Sequence, residues 1–267
     1  MATIYKLGNK GEGVKQMQRA LAAAGYAVTA DGDFGPKTEA AVKAYQRAKG
    51  LTPVDGIAGP ATLSVLLRPE GFTITPAYIS THITRCANRA VKYIAIHYTA
   101  GTTSRGGTAL ATRNVFLQRQ ASADFVVDNT TIVQINPDPT NYYCWAVGDA
   151  KNKWTGGARL YGVATNKNTV SIEVCSTLRQ GTSAAVPNHE GWSLSDRAVE
   201  NARRLVRHLM MLYGVPRQQV VRHYDVSGKL CPGVPGWNDG PLYAPDGKAI
   251  SGRQSDSRLW QAFWQSL

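Results

Sequence analysis

No run of 18 apolar residues occurs in the 267-residue chain, which excludes a membrane-spanning helix of ordinary length. Residues 1–13 mix polar residues with glycine and lack the apolar stretch of a secretory signal. Synthesis in the cytoplasm without a signal peptide is therefore expected. Acidic side chains are scarce, with 18 Asp+Glu against 30 Lys+Arg and a formal net charge of +12. Such a surplus attracts a polyanion: nucleic acid, an anionic membrane face or an acidic wall polymer. The basic residues are scattered, and residues 1–68 hold nine of them against five acidic ones. A nucleic-acid binder would concentrate them in a patch, so DNA and RNA are not expected partners. Cysteine is sparse as well. Cys86, Cys144, Cys175 and Cys231, in a chain made in the cytoplasm, read as free thiols or metal ligands rather than a disulfide framework. With 43% apolar and 18% charged residues the chain is not disordered, and its length suits one large domain or two small ones.

What is present begins with a two-fold echo. Ala30-Asp31-Gly32-Asp33-Phe34-Gly35-Pro36-Lys37-Thr38 recurs as Val54-Asp55-Gly56-Ile57-Ala58-Gly59-Pro60-Ala61-Thr62. Each copy offers Asp-Gly for a tight turn and then a proline suited to the first turn of a helix. Val14, Met17, Leu21 and Ala24 recur at helical spacing before the first copy, and Ala41, Val42 and Tyr45 do so between the copies. Residues 61–67 make a short third helix. Asp31 to Asp33 do not open a calcium loop, because the sixth position is Pro36 and the twelfth Val42. The aspartates are expected to cap turns.

The segment resembles the three-helix peptidoglycan-binding module found beside many wall hydrolases. Gly13-Val14-Lys15-Gln16-Met17-Gln18, Gly25-Tyr26, the two Asp-Gly repeats and Tyr45-Gln46 carry the likeness. It implies binding in the groove between helices, with Tyr26, Phe34 and Tyr45 as candidate contacts. Residues 69–85, rich in Pro, Thr and Ile, read as a linker and the lead-in to a second domain spanning 86–267.

In that second part, residues 93–99 have the composition of a strand buried on both faces. Phe125-Val126-Val127 and Thr131-Ile132-Val133-Gln134 flank a hairpin turn at Asp128-Asn129-Thr130. Residues 170–174 are a further buried strand carrying one charge, Glu173. Residues 196–212 predict a helix capped by Ser195, with a stripe of Val199, Ala202, Leu205 and Leu209. Residues 257–267 predict a terminal amphipathic helix containing Leu259, Trp260, Phe263 and Trp264. The expected fold class is two domains: an all-α three-helix module, then an α/β domain with a central mixed sheet flanked by helices.

Of five histidines, His208 reads as structural, and His82 and His189 fall in loops without chemical company. His97 interrupts an apolar strand, where a polar group needs a partner. His223 precedes Cys231 by eight residues, a loop long enough to turn back and bring both to one ion. Two imidazoles and one thiolate leave a fourth position open, as in a catalytic zinc site. Zinc there would lower the pKa of a water and polarise a carbonyl.

Ile94-Ala95-Ile96-His97-Tyr98-Thr99-Ala100, Ser122 to Val127, Asn168 to Glu173, and His223-x-Asp225-x-x-x-Lys229-x-Cys231-Pro232-Gly233 follow one another as in the zinc-dependent N-acetylmuramoyl-L-alanine amidases. This resemblance, over residues 90–235, implies that His97, His223 and Cys231 hold zinc. It further implies a cut between N-acetylmuramic acid and L-alanine, with Glu173 moving a proton and Lys229 facing the developing negative charge. The alternatives are a structural ion pair for Glu173 and a solvated loop lysine for Lys229. A branch of the family uses a tyrosine where this chain has Ala123, leaving proton transfer to Glu173 alone. Asp124 stands where histidine is common, which weakens a role for that strand. Cys175 shares a face with Glu173 and reads as an inert thiol, and Cys86 could pair with Cys144 under oxidising conditions.

Together these features resemble a phage endolysin: a lone chain whose partner is peptidoglycan, without stable membrane insertion, reaching the wall after release from the host cytoplasm. A non-catalytic recognition protein of the same fold would lack a ligand residue, and a zinc peptidase of the stem peptide would carry His-Glu-x-x-His, which is absent.

Overall fold

Each Gly-Pro step of the repeat starts a helix, because proline at the first position gives up only an N–H that would have had no partner. The result is α1 (Glu12–Ala23), α2 (Pro36–Ala48) and α3 (Pro60–Leu66), the last two opening on their prolines. The structure, a computed structural model, describes residues 4–67, 73–99, 108–148, 157–180, 190–239 and 255–267. Its contacts define two compact units, Met1–Phe72 with His208–Gly214, and Thr73–Arg207 with Val215–Leu267.

In the helical module, Val14, Met17, Leu21, Val42 and Leu63 fill the core. Two buried glutamines organise the repeat. The Gln18 amide donates to Asp31 Oδ1, the Asp33 carbonyl and Thr38 Oγ1 at 2.8–3.0 Å, while its Oε1 accepts the Gly32 N–H at 2.8 Å. Gln46 repeats the pattern with Asp55, the Ile57 carbonyl, Thr62 and the Gly56 N–H. Gly32 and Gly56 sit at φ +84° and +78°, the left-handed region that excludes most side chains. Hydrogen bonds from the Asp33 N–H and Gln18 hold the Asp31 carboxyl below its usual range, and Gln46 with the Ile57 N–H does so for Asp55. The aspartates are thus turn caps.

This packing corrects the expectation for two aromatic rings. Phe34 has no exposed surface and Tyr45 only 3%, so neither presents a face to a ligand. Phe34 follows a tight turn and is driven into the core as the largest apolar group nearby. Tyr26 is partly exposed and meets Tyr45 edge-on, with centroids 5.6 Å apart.

The second unit is built on a six-stranded mixed sheet. In chain order its described elements are β1 (Ile74–Pro76), β2 (Ile83–Arg85), β3 (Tyr93–Tyr98), α4 (Ala109–Phe116), β4 (Phe125–Val127), β5 (Ile132–Gln134), β6 (Tyr142–Cys144), β7 (Thr169–Val174), β8 (Ser176–Leu178), β9 (Trp192–Leu194), α5 (Asp196–Tyr213, whose residues from His208 on are grouped with the first unit), β10 (Val220–Arg222), α6 (His223–Ser227) and α7 (Arg258–Gln265). The sheet order is β1-β5-β4-β7-β3-β10. Strands β4, β7, β3 and β10 run parallel, and β5 turns back along β4 through the Asp128 hairpin. Asp128 accepts the Thr130 and Thr131 N–H groups at 2.8 and 2.7 Å and that of Ala109 at 2.8 Å, tying the start of α4 to the hairpin.

Residues 69–85 read in the sequence as a linker and the lead-in to the second domain. From Thr73 onward they belong to this unit: β1 pairs with β5 and β2 with β6. Their β-branched Ile and Thr residues suit strands, and Pro76 is tolerated because β1 lies at the sheet edge. Residues 69–72 and His189 lie outside the described residues.

Helix α5 is capped as expected, with the Ala198 N–H 3.2 Å from Ser195 Oγ. It buries Ala202, Leu205 and Leu209, with Val199 half-covered. In α7, Trp260 and Phe263 pack on Trp237 while Leu259 is exposed. Arg89 is the polar hub of the unit. Its fully covered guanidinium donates to the Pro139, Tyr142, Asn166, Lys167 and Thr169 carbonyls and lies 3.5 Å from Asp124. Asp124 also accepts the Asn136 amide and the Ser171 N–H, so it holds strands together. Among the described residues no helix is long and apolar enough to cross a membrane.

Candidate metal centre

Parallel strands leave their carboxyl ends on one edge of a sheet, and that edge is where sites on such sheets form. His97 is the penultimate residue of β3, and Glu173 of β7 is its direct register partner. Paired residues of neighbouring strands share a face, so the imidazole and the carboxyl emerge side by side. β10 lies on the other side of β3, with Arg222 opposite Ile96, and the chain passes directly into α6 at His223.

Helix α6 is anchored at its first residue. Asp225 Oδ2 accepts the Arg222 N–H at 2.9 Å, and the Arg222 guanidinium meets Asp225 Oδ1 at 2.8 Å and Asp239 at 2.9 Å. The helix ends at Gly228, whose φ of +79° reverses the chain. The return is closed by the Tyr224 N–H on the Cys231 carbonyl at 3.0 Å. Two distant stretches therefore converge: ligand atoms of His97 on β3 and of His223 and Cys231 around α6, all buried, lie within 4.8 Å of one another.

The protein leaves this point unsatisfied. His97 Nε2 and His223 Nδ1 are buried and have no hydrogen-bond partner among the described residues, and the two rings stand 4.6 Å apart. His223 Nε2 is 2.9 Å from the Val147 carbonyl. A carbonyl only accepts, so Nε2 carries the proton and Nδ1 presents its lone pair. Burial pushes His223 down to about 3, helped by the Lys229 charge, and burial, His223 and Lys229 hold His97 well below its ordinary range. Burial and Glu173 push the Cys231 thiol up to about 12, against the opposing pull of Lys229 and the Tyr98 N–H. Two neutral imidazoles, each with a buried ring nitrogen that has no partner among the described residues, and a buried sulfur within reach of both fit a zinc ion and leave one position open. Zinc would also stabilise the thiolate that burial disfavours.

Glu173 Oε2 is likewise buried and unpartnered. Burial raises this carboxyl to about 8, with Lys229 pulling the other way. Lys229 is itself exposed, and its charge acts on His97, His223, Glu173 and Cys231 alike.

The remaining candidates fall away from the centre. Cys175 lies in an apolar cluster with Ala109, Phe116, Ala123 and Val126 and is 3.8 Å from Thr112 Oγ1; burial pushes its thiol up to about 12. Cys86 and Cys144 are unpaired thiols. His82 Nδ1 contacts the Phe116 carbonyl, and His208 is buried. Val147, Asn166 and Arg89 were not foreseen. The first acts through a backbone carbonyl, which any residue could supply, and Arg89 carried no motif to mark it.

Residues 87–234 match the family model for N-acetylmuramoyl-L-alanine amidase, and residues 10–66 match that for a peptidoglycan binding domain. The N-acetylmuramoyl-L-alanine amidase CwlL of Bacillus licheniformis is 30% identical over 149 residues, covering 53% of this chain and 36% of that protein. The zinc D-Ala-D-Ala carboxypeptidase of Streptomyces albus G is 41% identical over 85 residues, covering 30% of this chain and 32% of that protein. The chain thus spans about a third of the length of these curated relatives. Among solved structures, that of PlyL superposes with a TM-score of 0.43 at 24% identity, over 60% of this chain and 86% of that one.

Proposed function

The chain belongs to the N-acetylmuramoyl-L-alanine amidase family, and we propose that it is a peptidoglycan hydrolase that cuts the amide between N-acetylmuramic acid and L-alanine. The observation that carries this reading is the pair of orphaned imidazole nitrogens beside a buried cysteine, with a carboxyl on the adjoining strand that has one buried, unpartnered oxygen. His97, His223 and Cys231 would hold zinc. When bound, zinc supplies Lewis-acid polarisation of a carbonyl and acidifies water enough to attack it near neutral pH.

The protein's own groups do the rest. Glu173, the register partner of His97, would take a proton from the attacking water and return it to the leaving nitrogen of L-alanine. A carboxyl is suited to both directions of that transfer once the charge of the bound metal offsets the upward push of burial. Lys229 brings a positive charge to the mouth of the site, where the substrate carbonyl oxygen becomes negative. The helical module, working as a wall anchor over residues 1–68, would keep the catalytic unit at its polymer. Of the candidate contacts there, partly exposed Tyr26 retains a free surface. In this reading the protein acts as a monomer on the bacterial cell wall.

Product chemistry tests the proposal. Purified peptidoglycan digested by the protein should gain L-alanine amino termini and no new reducing sugar ends. New amino termini on other stem residues would replace the amidase reading with a peptidase one, and no release at all would leave only recognition.

A further inference from the structure

An imidazole can carry its proton on either nitrogen, and only one tautomer of His223 leaves Nδ1 free for a metal. The Val147 carbonyl makes that choice by accepting from Nε2 at 2.9 Å. Val147 lies past the end of β6, outside any strand. Its buried side chain packs with Ala95, Val221 and Val226, which fixes where the residue sits but not how its peptide planes are turned. Among the described residues, the side chain that holds that orientation is Asn166. Asn166 Oδ1 accepts both the Ala146 N–H at 3.0 Å and the Val147 N–H at 2.9 Å, clamping the two successive peptide planes that lead into the carbonyl. Asn166 is anchored in turn, because its own carbonyl accepts from the Arg89 guanidinium at 3.0 Å. The same guanidinium holds the carbonyl of Thr169, the first residue of β7.

We infer that Asn166 is a positioning residue of the metal centre: it fixes the Val147 carbonyl so that His223 is held in the tautomer that ligates through Nδ1. Asn166 touches neither substrate nor metal. Its contribution is to remove the alternative tautomer, and with it the cost of switching at the moment of binding. Groups that orient a ligating histidine affect metal affinity by about 10- to 100-fold. The inference rests on the zinc reading above.

The test compares zinc affinity, by chelator competition, and the ¹⁵N shifts of the His223 ring in the metal-free chain. Asn166→Ala should weaken zinc binding by about 10- to 100-fold and show a mixture of His223 tautomers. Asn166→Asp keeps an acceptor oxygen in place and should stay close to wild type on both measures. If alanine prevents folding, Asn166→Ser, too short to reach both N–H groups, takes its place with the same expectation. Asn168→Ala is the control for a merely structural role: its side chain ties the same turn to Thr165 and Val163 without reaching Val147. It should lower stability and leave zinc affinity unchanged. Unaltered affinity and tautomer in Asn166→Ala, or an equal loss in Asn168→Ala, overturns the inference. A wild-type chain that takes up no zinc overturns the zinc reading instead, while the ring shifts still report on Asn166.

Discussion

Replacing Glu173 with glutamine should give a protein that is more stable without metal and nearly inactive with it. The carboxyl is raised from 4.5 to about 8 by burial, so the metal-free folded chain keeps its proton where the unfolded chain has lost it. Below pH 4.5 both states are protonated and the group has no effect. Between pH 4.5 and about 8 each unit of pH costs the folded state about 1.4 kcal/mol, and above that the cost is constant. At pH 7 the accumulated cost has a ceiling of about 3 kcal/mol, which Glu173→Gln removes while keeping the shape of the side chain. Chemistry suffers instead, because an amide cannot shuttle a proton. General acid–base catalysis contributes about 10²- to 10⁴-fold, or roughly 3–5 kcal/mol of barrier. The assay pairs denaturation midpoints of the metal-free chains across pH 4 to 8 with zinc content and rate of wall lysis. The variant should gain stability progressively above pH 4.5, keep its zinc and lose lysis. A variant that lyses within a few-fold of wild type would refute the role given to Glu173, and a stability gain independent of pH would refute the argument from burial.

Two further outcomes are expected. Gln18→Ala removes a buried amide that satisfies Asp31, Thr38, the Asp33 carbonyl and the Gly32 N–H, and should destabilise the helical module by about 2–3 kcal/mol in thermal unfolding; an unchanged midpoint would show that the turn holds without it. His223, pushed down to about 3, stays neutral when folded but takes up a proton below pH 6.5 when unfolded. The metal-free Glu173→Gln chain should therefore lose stability as pH falls from 6.5 toward 3, and a midpoint flat over that range would contradict the burial of the imidazole.

The features legible in the sequence were those written in side-chain identity and spacing. The Asp-Gly and Gly-Pro steps announced their turns and helix starts because few residues can replace glycine at positive φ or proline at a helix's first turn. His97 was conspicuous as a polar residue in an apolar strand, and the eight-residue step from His223 to Cys231 as a loop that can close. What escaped was carried by tertiary packing or by the backbone. Phe34 and Tyr45 have the composition of a binding groove, yet the small module needs both rings for its core. β1 and β2 are three residues each, too short for an alternating pattern to separate them from a linker. The clamp from Arg89 through Asn166 to Val147 joins residues as much as 77 positions apart, and its last contact is a main-chain carbonyl with no signature in the sequence.

The convergence of His97, His223 and Cys231 is tested most directly by the zinc content of purified wild type and His223→Ala, measured alongside wall lysis. Wild type should carry about one zinc per chain, and the variant, folded to the same degree by circular dichroism, should lose both metal and lysis. A folded His223→Ala chain that retains full zinc and lyses walls at the wild-type rate would contradict the assignment of the centre.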